Sequence, residues 1–255
     1  MSQMEIQKVG ASHGWLWLQH GYRLIMRSPL QAFSQAMTFA FGIFLAMLIP
    51  QAGVLLAVLL MPVLMAGYMR VCRALEYNER VDPLYIFAGF KGATKQLVTI
   101  GAMLLLGMIL VSMITASLGG EALNSILSSF QKEQDPTALI EALLAPESGL
   151  QLTLLIGFAL FFLLMLALQF APMLVFFDGV APSVALKMSL LASIKNILPF
   201  SVYSLIMQVI AFVVSAIPMG LGWVILVPIG LTSMYVAYRD IFSEVKTTEA
   251  AETGE

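Results

Sequence analysis

Two histidines, His13 and His20, stand seven residues apart, which sets both on one side of a helix and would let them share a metal ion if a third ligand joined them. No cysteine or carboxylate stands with them. A zinc site therefore lacks its third ligand, and contact with lipid headgroups is the reading that remains. The single cysteine, Cys72, cannot form an internal disulfide and reads as a packing residue at a helix end beside Arg70 and Arg73. Glu76, Glu79 and Asp82 mix with Arg70, Arg73 and Arg80. The helical spacings Arg73–Glu76 and Glu76–Arg80 suggest solvated salt bridges that extend a helix. No glycine-rich loop precedes a lysine to cradle a phosphate. Nothing here groups into a nucleophile or an acid–base pair, so the chain reads as non-enzymatic, with no catalytic residues, metal or cofactor.

The elements that carry these residues are set by composition. The chain is 60% hydrophobic and 11% charged, against about 25% charged in a soluble domain. With a mean hydropathy of +0.91, 255 residues cannot hide so much apolar surface in their own core, so lipid must cover part of it. A net charge of -2 and a pI near 5.7 offer no basic face to nucleic acid. Six stretches are long enough to cross a bilayer: 30–49, 52–71, 97–118, 151–177, 198–218 and 221–238. None has a charge in its central part. Pro50-Gln51-Ala52-Gly53 and Pro218-Met219-Gly220 leave no room for long loops, so the spans they join form helical hairpins. The first 29 residues lack the apolar run and small-residue cleavage site of a secretory signal. Residues 1–240 are expected to form one integral membrane domain and 241–255 a disordered cytoplasmic tail.

Charge then gives sidedness. Of the 13 Lys and Arg, all but Lys132 fall on one side of the six spans: Lys8, Arg23, Arg27, Arg70, Arg73, Arg80, Lys91, Lys95, Lys187, Lys195, Arg239 and Lys246. The positive-inside rule puts that side, with both termini, in the cytoplasm. The far-side segment 119–149 sets Lys132 against Glu121, Glu133, Asp135, Glu141 and Glu147. Leu123, Ile126, Leu127 and Phe130 fit one face of a helix there, and Asp135-Pro136-Thr137 fits the start of a second. This segment either caps the protein or meets a partner.

Each near-side segment enters a span through a short amphipathic stretch. The first sets Trp15, Leu18, Tyr22 and Ile25 against Gln19, His20, Arg23 and Arg27. The second sets Ile86, Phe90, Ala93 and Leu97 against Lys91 and Lys95. The third aligns Leu186, Leu190 and Ile194 beside Lys187 and Lys195. Basic amphipathic helices of this kind lie in the headgroup plane. The second span of each hairpin carries a proline, Pro62, Pro172 or Pro228, so a unit of interfacial helix, span and proline-containing span recurs three times. The prolines either shape the packing or act as hinges around a path. Ala32, Ala36 and Ala40, and Ala211 with Ser215, would allow close helix contacts. Candidate headgroup contacts are Trp15, Trp17, His20, Arg23, Arg27, Arg70, Arg73, Lys91, Lys95, Lys187 and Lys195. Of the polar residues within spans, Gln169 and Gln208 are the candidates for lining a pore. Asp178, at a span end beside Gly179, reads as an interface residue paired with Lys187 or Arg239.

Three blocks carry a family resemblance. The first is Gly14-Trp15-Leu16-Trp17-Leu18 with Tyr22-Arg23-Leu24 and Ser28-Pro29-Leu30. The second is Gly67-Tyr68-Met69-Arg70-Val71-Cys72-Arg73-Ala74 with Phe87-Ala88-Gly89-Phe90-Lys91. The third is Phe170-Ala171-Pro172-Met173-Leu174-Val175 with Ala185-Leu186-Lys187, Ser189 and Lys195-Asn196. Across about 13–240 the chain resembles a family of six-span bacterial inner-membrane proteins known mainly by a locus tag and carrying no assigned function. The third block is more distantly similar to the membrane region of some glycerophosphodiester phosphodiesterases, whose catalytic part has no counterpart here. The resemblance implies a multi-pass protein of the bacterial cytoplasmic membrane without catalytic residues.

The expected protein is thus all-α and polytopic. Its leading role is to organise or support a membrane complex or lipid environment through a basic cytoplasmic face. The expected partners are membrane lipids, anionic ones included, and a protein partner or second copy, but no nucleic acid. The competing role is transport of an uncharged or amphipathic solute between the proline-containing spans.

Overall fold

The computed structural model of the chain describes residues 5–133, 149–216 and 222–242. Every regular element among them is helical: α1 (His13–Arg27), α2 (Pro29–Met47), α3 (Gly53–Glu76), a 3-10 helix (Pro83–Phe90), α4 (Thr94–Glu133), α5 (Leu150–Gln169), α6 (Ala171–Asp178), α7 (Pro182–Lys195), α8 (Ile197–Ser215) and α9 (Gly222–Ile241). Six stretches are long and apolar enough to span a membrane: Pro29–Met47, Gly53–Glu76, Thr94–Gly120, Leu150–Asp178, Ile197–Ser215 and Gly222–Ile241. They match the six expected from hydropathy to within a few residues. The protein is an all-α, polytopic membrane protein. The suggested helix from Asp135, the turn at Pro218-Met219-Gly220 and the tail beyond 242 lie outside the described residues.

The chain divides into two compact units, residues 1–101 with 167–255, and residues 102–166. In the second unit α4 and α5 approach closely at Gly107, where a Cβ would meet the Leu164 side chain at 2.6 Å, and at Gly157, where it would meet Thr115 Oγ1 at 2.7 Å. Here α4 breaks at Gly120 (φ 49°, ψ -137°), a conformation open to glycine, and then continues to Glu133. The segment expected as a far-side loop is therefore helical as far as Glu133.

In the first unit α3 is the central element, touching α1, α2, the 3-10 helix, α6 and α9. Ala32 and Ala36 of α2 are fully buried, while Phe41 and Phe44 of the same helix are exposed. The other small-residue pair, Ala211 and Ser215, is not buried. On α7 the buried residues are Ala185, Ser189, Ala192 and Ser193, while Ile194, on the expected apolar line, is exposed. The 3-10 helix buries Ile86 and Gly89 but leaves Phe90 exposed. In a membrane, leucine gains nothing by leaving lipid for protein, so small size and hydrogen-bonding capacity choose the packed face.

The order of short helix, span and proline-containing span does run three times through the chain: α1–α2–α3, the 3-10 helix with α4 and α5–α6, and α7–α8–α9. The short helices are docked on spans rather than lying free. The prolines also differ. Pro62 and Pro228 sit inside α3 and α9, whereas Pro172 opens α6, where its missing N–H is no loss. The span breaks at Phe170, whose freed N–H donates to the buried Ser189 Oγ of α7 at 2.9 Å. Ser189→Ala should leave that N–H without its acceptor and lower stability by about 1–3 kcal/mol, read as an earlier thermal melt in detergent. A melt that overlays the wild type would show that another acceptor takes over.

Candidate functional site

Five of the candidate residues, Trp15, Trp17, His20, Arg23 and Arg27, lie on α1, which docks on α8 and α9. The docking face is Gly14, Trp17, Leu18, Gly21, Leu24 and Ile25, which differs from the expected one. Trp15 and Tyr22 are exposed (53% and 54%), whereas Trp17 is 1% exposed. Two glycines turn the helix this way. A Cβ on Gly14 would lie 2.3 Å from Pro199 O, and one on Gly21 2.6 Å from Ser233 Oγ. Gly14 thus serves close packing although it lies outside any span. Trp17 is consequently no headgroup residue. Its ring lies 4.9 Å from that of Phe200, and its Nε1 donates to Asp240 Oδ2 at 2.7 Å. His13 Nδ1 reaches the same oxygen at 2.7 Å. The segment before α1 is held too: Gln7 N–H donates to Ile241 O at 2.9 Å, Val9 N–H to Asn196 Oδ1 at 2.8 Å, and Lys195 Nζ to Ile6 O.

The far end of α1 meets the end of α3. Arg27 Nη1 donates to Leu75 O at 3.0 Å and Glu76 O at 2.7 Å, serving two of the carbonyls that a helix C-terminus leaves unsatisfied. The Glu76 carboxylate accepts from Tyr235 Oη at 2.5 Å and lies 3.5 Å from Arg239 Nε. The expected pairs of Glu76 with Arg73 and Arg80 do not form. Helix α3 ends at Glu76 with Tyr77 as its cap and Asn78 at φ 54°, so Arg80 leaves the helical register. Arg73 lies over the Phe177 ring at 5.1 Å; Arg70 pairs with Glu79 at 2.9 Å and lies over Tyr85 at 4.5 Å.

Between these contacts lies a cleft of about 340 Å³, walled by His20, Arg23, Arg27, Glu76, Tyr235 and Arg239. It continues past His20, Glu76 and Arg239 into a second space of about 310 Å³ that reaches His13 and Asp240. Both histidines thus line one groove. Among the described residues no group of three or more His, Cys, Asp and Glu is placed to hold a metal. The contributing ends are all charged: Arg27 closes α1, Glu76 closes α3 and Arg239 lies in the last turn of α9.

The remaining candidates divide clearly. Arg23, Lys91, Lys95 and Lys187 are exposed, and among the described residues their side chains make no hydrogen bond or ion pair. Arg27, Arg70, Arg73 and Lys195 are occupied within the protein. Asp178 accepts from the Tyr238 hydroxyl, while Arg239, one of its expected partners, meets Glu76. Gln208 is exposed on α8 and Gln169 half-buried at the end of α5. The acidic wall, Glu76 and Asp240, was not among the sequence candidates. One signal was available: Asp240 is the sole carboxylate between Gly222 and Phe242, at the end of a span where a buried indole N–H needs an acceptor.

Over 217 residues the chain is 29% identical to a probable inner membrane protein of Burkholderia thailandensis, a match covering 83% of this chain and 78% of that protein. The likeness to the phosphodiesterase membrane region is not part of this finding. No protein-family model matches the chain, and no solved structure does. The chain is a polytopic, six-span protein similar to a probable bacterial inner membrane protein.

Proposed function

We propose that this is a non-enzymatic protein of the bacterial inner membrane that organises the surrounding lipid, or supports a membrane complex, through a basic cytoplasmic face. The observation that carries this reading is the set of exposed, unpaired cations at the near-side segments: Arg23, Lys91, Lys95 and Lys187. Each such charge near an anionic leaflet is worth about 1 kcal/mol. The positive-inside rule orients this face, and with it both chain ends, toward the cytoplasm. Similarity to a probable inner membrane protein supports the location.

Two measurements test this. A fluorescent protein fused after residue 255 should fluoresce, and a dark fusion with full expression would reverse the orientation. Copolymer nanodiscs holding the protein should contain more anionic phospholipid than the bulk membrane from which they were cut. Equal proportions would remove the lipid-organising role.

A further inference from the structure

Resting on that reading of the basic face, we infer that the cleft between α1, α3 and α9 is a binding site for a single phosphate ester group, held by Arg23, Arg239 and His20 at the level of the lipid headgroups. The free groups of the cleft are donors. Arg23 and His20 face it without a hydrogen bond or ion pair among the described residues. Arg239 spends only Nε on Glu76. The carboxylates are already engaged, Glu76 by Tyr235 and Arg239, Asp240 by Trp17 and His13. What a ligand meets is therefore two guanidinium forks and an imidazole, groups whose planar donors match phosphate oxygens.

Two opposing terms decide the ligand. The C-terminal end of α3 carries partial negative charge and would repel an anion. Arg27 answers this by bonding the Leu75 and Glu76 carbonyls. With Arg27 spent on those carbonyls, Arg23 and Arg239 face one carboxylate in the cleft, Glu76, leaving one positive charge among these three groups. That balance suits the single negative charge of a phosphodiester. The depth fits too, since α1, α3 and α9 all bring charged residues here, and the exposed Trp15 and Tyr22 on α1 are the aromatic types that settle at a membrane interface.

The test compares full-length wild type, an Arg23→Gln/Arg239→Gln variant and a Lys8→Gln/Arg80→Gln variant that loses equal charge at exposed residues outside the cleft. Native mass spectrometry from detergent should find one phospholipid retained on the wild type and on the Lys8/Arg80 variant. Occupancy of the Arg23/Arg239 variant should be about tenfold lower, for the loss of charge-assisted hydrogen bonds. Thermal shifts with short-chain phosphatidylglycerol, phosphatidylethanolamine and inorganic phosphate identify the source. Stabilisation by either lipid, lost in the Arg23/Arg239 variant, assigns a headgroup; stabilisation by inorganic phosphate alone, lost in the same variant, assigns a free phosphate. Equal lipid retention in wild type and the Arg23/Arg239 variant, with no phosphate stabilisation that the variant loses, would overturn the site, as would equal losses in both variants. Either result leaves the nanodisc measurement of the wider basic face standing. Equal anionic lipid inside and outside the nanodiscs, with retention still dependent on Arg23 and Arg239, would remove the wider role and keep the site.

Discussion

Gly67→Ala should unseat the 3-10 helix from α3 and bring one of the largest stability losses available from a single methyl group in this protein. A Cβ on Gly67 would lie 1.8 Å from Ile86 O and 2.4 Å from Ile86 C. Both obstacles are backbone, so no side chain can rotate out of the way. The reciprocal contact is as close, with a Cβ on Gly89 falling 2.3 Å from Val63 O. Val63 and Gly67 are four apart on one face of α3, and Ile86 and Gly89 three apart on one face of the 3-10 helix, so two glycines let two backbones touch along a line. Accommodating the methyl group means moving a backbone by an ångström or more. Overpacking usually costs about 1–3 kcal/mol, and a clash with main chain belongs at or above that upper end. Further contacts go with it, because Gln35 Nε2 donates to Pro83 O at 3.1 Å and Arg70 lies over Tyr85. Thermal unfolding in detergent should show the loss, with Gly92→Ala as control, since a Cβ there meets nothing within 4 Å. Matching melts for the Gly67 and Gly92 variants would contradict the close docking.

Asp240→Ala should loosen α1 at its N-terminal end. Asp240 Oδ2 is the acceptor for the indole of Trp17, which is almost wholly buried, and for His13 Nδ1. Alanine strands a buried N–H, at about 1–3 kcal/mol, and more where the lost acceptor was charged. Asp240→Asn keeps an oxygen at the site and should recover part of the loss. Trp17 is one of 3 tryptophans, so its release should appear as a shift of the intrinsic fluorescence toward longer wavelength. Trp17→Phe should abolish that shift. An unchanged spectrum in Asp240→Ala would mean that Trp17 stays packed through Phe200 and Tyr203 alone.

Much of the candidate site was visible residue by residue, but its assembly was not. His20, Arg23 and Arg27 stood out because helical spacing puts them on the polar side of α1. Glu76 did not, because its sequence neighbours Arg73 and Arg80 offered a nearer explanation than Tyr235, 159 residues away. Arg27 looked like a lipid contact because nothing local shows that the last carbonyls of α3 lie within its reach. The second block of the family resemblance held both halves of one contact, Gly67 and Gly89, yet only folding reveals that they meet.

The sequence by itself determined the class of solvent, the number of spans and the ends at which charge collects. Burying a backbone in lipid demands helices, and about 20 apolar residues per crossing are legible one residue at a time. Which face of each helix turns inward was decided by tertiary structure. Trp15 and Tyr22 point out while Gly14 and Gly21 point in, and Ile194 is exposed while Ser189 and Ala192 are buried. In water the hydrophobic residues would mark the inner face. In lipid that contrast disappears, and close fit between backbones and a few hydrogen bonds choose instead. Those are relations between distant segments, and they converge on the cleft lined by Arg23, Glu76 and Arg239.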